Sequence, residues 1–345
     1  MRKSVLFDPI TIGSLELKNR VMMPSMLTNE VHKKDGVPTD FHMIHYGARA
    51  LGGVGLILLE GTGISVDGRI FETDLGLWNE EQMVGMKRLV DLLHGYGSKV
   101  GVQLSHAGRK SEVPGRVIAP SAIAYSDEYR QPEAMTVEDI QTVVEQFKAS
   151  AALAEKAGFD VLEIHVAHGY LLNQFITPLV NKRTDSYGGS LENRYRIVRE
   201  VIHAVKSVFT GAVWARISGA EYDEAGTTAD EFVTIAQWMK EDGIELIDVS
   251  SGGVINRAPD AIYPGYQVQL GSRIKNEVGI PISVVGILGS PELAEYILRS
   301  NQSDLIALGR PLLSNPNWLW HAARELGTIE NYKVFNEAYE RGKRF

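Results

Sequence analysis

The sequence has no cysteine in its 345 residues. A thiol nucleophile, a disulfide framework, a cysteine-ligated zinc site and an iron–sulfur cluster are therefore excluded, because each of them needs cysteine sulfur. A block of basic residues is also lacking, since 35 Lys and Arg stand against 43 Asp and Glu and give a net charge of −8. An acidic surface repels phosphate backbones and anionic membranes, so nucleic acid and membranes are not expected as partners.

Long hydrophobic runs are missing as well. No run reaches the roughly 18 apolar residues of a membrane span, and the first residues contain no apolar segment typical of a signal peptide. We therefore expect a cytoplasmic location. With 44% hydrophobic and 23% charged residues, the composition is typical of globular proteins.

Short apolar segments rich in β-branched residues alternate with longer segments of helical spacing along the whole chain. There are eight of them, at residues 20–23, 55–60, 99–104, 159–166, 212–218, 245–250, 281–286 and 304–309. Several are apolar on both faces, as parallel strands between a barrel interior and a helix layer should be. No linker divides the chain, so the pattern predicts a single (β/α)8 TIM barrel over residues 1–345. An open doubly wound sheet would need a glycine-rich turn after the first strand, where the sequence has Pro24-Ser-Met-Leu-Thr.

The segments around this barrel are predicted in the same way. Residues 7–18 read as a β-hairpin that turns near Gly13, so residues 1–18 form a cap on the bottom of the barrel. Thr136-Val-Glu-Asp is a capping box that begins a helix, and Gly158 ends it. Residues 327–345 form a C-terminal tail.

Glycine turns follow the seventh and eighth strands, at Gly286 and at Gly309-Arg310. In a barrel this is the usual place for a phosphate, because glycine lets backbone amides approach the anion and arginine can bind it. The pattern does not separate a substrate phosphate from a cofactor phosphate, and two tight turns beside a surface arginine would look the same.

The end of the fourth strand carries His165-Val-Ala-His168-Gly-Tyr170. Two imidazoles can donate hydrogen bonds to one developing oxyanion while the phenol supplies a proton. The spacing H-x-x-H can also chelate a metal. The first strand carries no H-x-H and the strand ends no acidic cluster, which leaves Glu60 as the one candidate third ligand, so we predict no metal.

Gln103 and Arg216 stand at the ends of the third and fifth strands. An amide and a guanidinium can hydrogen-bond the edge of a planar heteroaromatic ring, and arginine stabilises negative charge on its reduced form. Either residue could instead be a buried barrel residue with a local partner.

A set of motifs between residues 7 and 342 can be compared with known families. They are Asn19-Arg-Val, Gln103-Leu-Ser-His-Ala-Gly-Arg-Lys110, Ala119-Pro-Ser, Ala157-Gly-Phe-Asp, His165-x-x-His-Gly-Tyr, Asn181-x-Arg-Thr-Asp-x-Tyr-Gly-Gly-Ser, Glu192-Asn-Arg and Gly309-Arg. Together they resemble the old yellow enzyme family of FMN-dependent ene-reductases, and among these the bacterial NADPH dehydrogenases. The resemblance implies FMN as cofactor, NADPH or NADH as reductant, and an activated alkene or quinone as substrate.

The resemblance also implies a role for individual residues. The flavin would be bound by Pro24, Ser25, Met26, Leu27, Gly61, Gln103, Arg216, Gly286, Gly309 and Arg310. The substrate would meet His165 and His168 at its carbonyl oxygen, Tyr170 as proton donor, and Asn29, Lys110 and Arg341. Arg341 would enter the site of a neighbouring subunit, which implies a homodimer or homotetramer.

Two positions depart from the pattern. Leu27 stands where relatives have Cys or Thr beside the flavin, which predicts a lower reduction potential, and Asn29 stands where the subgroup has a substrate-contacting Tyr. From the residues alone two other functions remain open: a lyase or isomerase of a phosphorylated substrate, and a non-catalytic flavin-binding protein.

Overall fold

Eight parallel strands close into a barrel in the computed structural model, which describes residues 3–332 and 336–344. They are β3 (Val21–Met23), β4 (Leu56–Gly63), β5 (Lys99–Ser105), β8 (Val161–Val166), β9 (Ala212–Ser218), β10 (Ile247–Ser250), β11 (Ile282–Val284) and β12 (Leu305–Ala307). Each neighbours the next in this order, and β12 closes the barrel on β3. Every predicted segment coincides with or overlaps one of these strands, so the predicted (β/α)8 barrel is confirmed.

The second barrel strand runs further than its predicted end at residue 60. A register shift between Leu59 and Gly61 lets β4 continue its pairing with β5 as far as Gly63 and Ser105. Such a bulge is a pairing event between two strands, so hydrophobic spacing within one of them carries no sign of it.

Helices cover the outside of the barrel. They are α1 (Asp40–Leu51), α2 (Glu80–Gly95), α3 (Val137–Ala157), α4 (Leu171–Ile176), α5 (Leu191–Lys206), α6 (Ala229–Glu241), α7 (Val268–Val278), α8 (Pro291–Arg299), α9 (Arg310–Ser314) and α10 (Trp318–Glu325), with 3₁₀ turns at Val5–Phe7, Gly108–Lys110 and Glu337–Arg344. The side chain of Thr136 accepts the Asp139 amide at the start of α3, and Gly158 ends that helix with φ 84°. The predicted capping box is therefore present. Within the described residues, no helix is both long enough and apolar enough to span a membrane.

The bottom of the barrel is closed by an antiparallel hairpin of β1 (Ile10–Ile12) and β2 (Leu15–Leu17). Its apolar side chains pack in one cluster with residues from inside the barrel: Ile12, Leu15, Leu17, Met22, Leu56, Leu58, Val161, Trp214, Leu246 and Leu305. Gly13 has φ 58° and would place a Cβ only 1.8 Å from Glu245 Oε2, so the turn fits directly against the start of the sixth barrel strand.

The top of the barrel, where the strands end, carries the long loops. The connection from β5 to α3 contains a small parallel sheet of β6 (Ile118–Ala119) and β7 (Glu133–Ala134). Apolar residues fill the space between the strands and the helices, so the polar side chains of the strands are confined to the interior and to the top. Ligand sites of such barrels lie at this end.

Candidate active site

A cavity of about 300 Å³ opens at the top of the barrel. It is lined by Pro24, Ser25, Met26, Arg216, Ser250, Ser251, Tyr266, Gln267, Val285, Gly286, Ile287, Leu288, Ala307, Leu308, Gly309, Arg310 and Pro311. Seven of the ten residues predicted to bind the cofactor are among them. They come from different strand ends, which meet because all strands of a closed parallel barrel end on the same side.

The other three predicted cofactor residues lie beside this cavity. The hydroxyl of Ser25 donates to Gln103 Oε1 at 3.0 Å. A Cβ built on Gly61 would lie 3.5 Å from Gln103 Oε1 and 3.6 Å from Leu27 Cδ2. The structure therefore brings Leu27, Gly61 and Gln103 together, next to the cavity wall at Ser25.

Glu60 binds the loop that follows β3. Its fully buried carboxylate accepts the backbone amide and the hydroxyl of Thr28, both at 2.8 Å, and the hydroxyl of Tyr46 at 3.3 Å. This carboxylate therefore holds the loop that carries Pro24 to Thr28.

In the described ranges 3–332 and 336–344, no group of three or more His, Asp and Glu side chains could hold a metal ion.

One end of the cavity is suited to an anion. Gly286 has φ 124°, a conformation that side-chain-bearing residues rarely adopt, and a Cβ on Gly309 would lie 3.1 Å from Met26 Sδ. Arg310 follows directly and is exposed. A phosphate fits this end, because the backbone can approach closely and a guanidinium is available.

Hydrogen-bonding groups from the barrel interior lie at another part of the cavity wall. Arg216 Nε pairs with Asp248 Oδ2 at 2.9 Å, and Asp248 also accepts the hydroxyl of Ser283. Gln103 Nε2 donates to Glu163 Oε1 at 2.7 Å. Gln103 and Arg216 therefore have local partners, as one of the predicted alternatives requires, and Arg216 also lines the cavity while Gln103 contacts its wall at Ser25. One cavity is thus lined by polar groups that can bind a ring edge and by glycine turns that leave room for a phosphate, a combination that fits a ring-bearing mononucleotide such as FMN.

The two histidines form a hydrogen-bond chain with a definite direction. The Ala167 amide donates to His165 Nδ1 at 3.2 Å, so the proton of a neutral His165 is on Nε2. That Nε2 lies 3.4 Å from His168 Nδ1, and His168 Nε2 lies 2.8 Å from Ser250 Oγ. The chain therefore ends with His168 Nε2–H donating to Ser250, on the wall of the cavity.

Backbone geometry supports this arrangement. His168 has φ 58°, in the left-handed region, and its amide donates to Ser218 Oγ at 2.9 Å.

Desolvation, aided by the nearby charge of Arg216, lowers the pKa of both His165 and His168 well below its ordinary value. Both rings are therefore neutral at physiological pH and can act as hydrogen-bond donors.

Tyr170 follows the histidine pair, and its ring centroid lies 5.0 Å from that of His165. Burial raises its pKa above the ordinary value, and the charge of Asp74 raises it further. The phenol therefore keeps its proton at physiological pH.

Lys110 joins the two loops around Tyr170. Its Nζ donates to the carbonyls of His168 and Gly253 at 3.1 and 3.3 Å and lies over the rings of Tyr170 and Tyr125, at 4.9 and 4.6 Å from their centroids. Burial, with a contribution from the neighbouring charge of Arg109, lowers the pKa of Lys110 to about 8.

Two predicted substrate residues lie away from this group. Asn29 is exposed with φ 58°, and Arg341 is exposed in the 3₁₀ turn Glu337–Arg344. Conversely, the sequence reasoning missed several cavity residues, among them Tyr266 and Gln267. Both lie in a loop without a motif, so no sequence signal marks them.

The fold and the cavity thus define a barrel enzyme that binds a mononucleotide cofactor. Residues 5–328 match the NADH:flavin oxidoreductase / NADH oxidase family, and the chain belongs to this family. It is an FMN-dependent NAD(P)H oxidoreductase, as the sequence resemblance predicted.

Individual relatives agree with this assignment. The chain is 48% identical over 338 residues to an NADPH dehydrogenase of Listeria welshimeri, covering 98% of this chain and 100% of the relative. It resembles the structure of morphinone reductase with a TM-score of 0.81 and 30% identity, covering 93% and 90% of the two chains. An old yellow enzyme homologue from Zymomonas mobilis gives a TM-score of 0.80 at 27% identity, covering 93% and 92%.

Proposed function

We propose that this enzyme reduces carbon–carbon double bonds conjugated to a carbonyl group, in enones, enals or quinones, with NAD(P)H as the electron source. The observation that carries the proposal is the directed chain from His165 through His168 to Ser250. It presents a neutral N–H donor at the cavity wall, where a substrate carbonyl can replace the serine hydroxyl as acceptor.

The residues around the cavity support a role in holding FMN. Gly286, Gly309 and Arg310 would hold its phosphate, Gln103 and Arg216 the edge of its ring, and Pro24, Ser25, Met26, Leu27 and Gly61 the ring itself. FMN held there would supply the hydride-transfer chemistry that links NAD(P)H oxidation to reduction of the alkene at its β-carbon.

His168 and Tyr170 would then perform the remaining chemistry. Hydride arrival at the β-carbon moves electron density onto the carbonyl oxygen, and the N–H of His168 stabilises that charge. Tyr170 gives its proton to the α-carbon, so the alkene gains one hydride and one proton in total. The ammonium of Lys110, 4.9 Å from the ring centroid, stabilises the phenolate that this step leaves.

The substitution Tyr170→Phe tests the proposed proton donor. We expect alkene reduction to fall by about 100-fold or more, the usual worth of a positioned general acid, while FMN reduction by NADPH stays within about twofold. Anaerobic stopped-flow measurement of the two half-reactions separates these effects, with Tyr129→Phe as a control in the neighbouring loop. Equal loss in both half-reactions would show that Tyr170 is not the donor.

Membership of the flavin-dependent family favours a reductase over a lyase or isomerase. Bound flavin that NADPH bleaches, but that no enone or quinone reoxidises, would instead support the non-catalytic flavin-binding function.

Two further roles complete the proposal. Arg341 is exposed, and we expect it to enter the site of a second subunit in a homodimer or homotetramer. Asn29 is also exposed, and we expect it to contact the substrate at the rim of the cavity. Sedimentation of the purified enzyme gives the oligomeric state. We expect Arg341→Ala to raise the KM for the alkene, and an unchanged KM would contradict the role of Arg341.

A further inference from the structure

Two carboxylates and one guanidinium are buried in the barrel interior beside the cavity, at the top of the barrel. We call this group, Glu163, Arg216 and Asp248, the barrel floor. Glu163 and Asp248 have no solvent-exposed surface, and Arg216 is 7% exposed. The groups that act on Glu163 are Asp248 on β10, Arg216 on β9 and the Gln103 amide on β5. If all three ionisable groups were charged, the floor would carry one uncompensated negative charge.

The Arg216 guanidinium forms an ion pair with Asp248 and not with Glu163. Asp248 Oδ2 forms an ion pair with Arg216 Nε at 2.9 Å, and Asp248 Oδ1 accepts the Ser283 hydroxyl. Glu163 Oε1 receives only the neutral amide of Gln103, and its buried Oε2 has no hydrogen-bond partner in the described part of the chain. A buried carboxylate without a cation costs more than a buried neutral acid, so a proton is held on Glu163.

The pKa of Glu163 agrees with this reasoning. Burial, and to a smaller extent the charge of Asp248, raise the pKa of Glu163 to about 8 against the opposing effects of Arg216 and Gln103. Glu163 is therefore neutral through most of the physiological range.

With its proton on the unpartnered Oε2, a neutral Glu163 also sets the orientation of Gln103. Its carbonyl oxygen accepts Gln103 Nε2 at 2.7 Å, which turns Gln103 Oε1 toward the Ser25 hydroxyl, 3.0 Å away at the cavity wall. The opposite orientation would place two carbonyl oxygens against each other. The amide thus offers an acceptor on the cavity side, which suits the N–H group of the FMN pyrimidine edge.

We propose that Glu163 is a positioning residue for FMN: as a neutral carboxylic acid it holds the Gln103 carbonyl oxygen toward the cavity and keeps excess negative charge off the barrel floor. This inference rests on FMN binding and does not depend on which substrate the enzyme reduces. A negative charge at this place would disfavour the addition of electrons to the cofactor.

Infrared spectroscopy of the FMN-loaded enzyme tests the protonation directly. We expect a carboxylic-acid C=O band that shifts in D₂O, disappears with a midpoint near pH 8, and is absent in Glu163→Gln. Asp74→Asn is the matched control, because burial raises the pKa of Asp74 to about 7 and its band must be distinguished. No band assignable to Glu163 below pH 8 would overturn the proposal.

FMN affinity tests the orientation. Glu163→Gln can still accept the Gln103 amide, so its dissociation constant for FMN at pH 7 should stay within about twofold of the unmodified enzyme. Glu163→Leu cannot, and should bind FMN about tenfold more weakly. Between pH 7 and pH 9, FMN binding of the unmodified enzyme should weaken several-fold more than that of Glu163→Gln.

Loss of FMN from Glu163→Gln as severe as from Glu163→Leu would mean that an ionised carboxylate is needed, and would overturn the proposal. Circular dichroism shows whether the leucine variant folds. If the leucine variant does not fold, the proposal is tested by the infrared band and by the pH dependence of FMN binding in the unmodified enzyme and Glu163→Gln. None of these measurements requires turnover, so their outcome does not depend on whether the enzyme reduces alkenes.

Discussion

The two ends of the barrel are built from the same eight strands but have opposite chemistry. At the bottom, the hairpin residues Ile12 and Leu17 pack against Trp214, and all three are at most 1% exposed. At the top, the interior holds the ionisable groups Glu163, Arg216 and Asp248. Apolar burial at the bottom therefore stabilises the fold, whereas the buried charge at the top destabilises it.

Backbone strain is also present near the cavity. Two non-glycine residues near the cavity, His168 and Ile287, have φ of 58° and 55°. A β-branched residue in the left-handed region is strained. Strain and buried charge at one end are tolerated because the strand pairing and the apolar end stabilise the fold independently of them. Four substitutions test this comparison, from the largest expected effect to the smallest.

Leu17→Ala tests the bottom of the barrel. Leu17 is fully buried in the apolar cluster, so its truncation should lower the free energy of unfolding by about 3 kcal/mol. Chemical denaturation measures the loss, and activity per folded molecule should be unchanged. The exposed hairpin residue Glu16 provides the control, since Glu16→Ala should have little effect. A loss of FMN affinity in Leu17→Ala would mean that the two ends are coupled.

His168→Ala tests the top. Removing the N–H donor should slow alkene reduction by about 100-fold, the cost of losing one oxyanion donor, while the free energy of unfolding changes little. His168→Asn keeps a donor and tolerates the left-handed conformation, so it should retain much of the activity. Stopped-flow kinetics and thermal unfolding of both variants check this. A large loss of stability in both would place His168 among the structural residues.

Asp74 tests how buried charge at the top affects stability. Burial raises the pKa of Asp74 to about 7, above its value in the unfolded chain, so the folded state binds the proton more tightly. The stability that this provides is complete below about pH 4 and is lost as pH rises to about 7. Asp74→Asn should therefore be more stable than the unmodified enzyme by roughly 1–3 kcal/mol at pH 8 and similar to it at pH 4. Unfolding free energies that differ by the same amount at both pH values would contradict this.

Ile287→Asn should relieve the strain at the cavity wall. Asparagine adopts a positive φ more readily than isoleucine, so the variant should gain about 1 kcal/mol in unfolding free energy. FMN binding should weaken, because Ile287 lines the cavity. Ile262→Asn, at an exposed isoleucine without positive φ, is the control and should leave both quantities nearly unchanged. A destabilised Ile287→Asn would show that packing of Ile287 outweighs its strain.

The sequence alone determined the order and type of the main elements, because these follow from local patterns. Strands apolar on both faces predict a buried parallel barrel, and Thr136 with Asp139 marks a helix start that the structure confirms. The sequence also predicts the glycine turns at Gly286 and Gly309, since a turn depends on neighbouring residues alone.

Only the tertiary structure decided which polar groups meet. Glu163 meets Gln103 across 60 residues of sequence, and Lys110 reaches the carbonyl of Gly253 across 143. These partners depend on strand register and on loop paths around a closed barrel. Hydrophobic spacing records which face of a strand is buried, but it carries no record of which side chain on the next strand lies opposite.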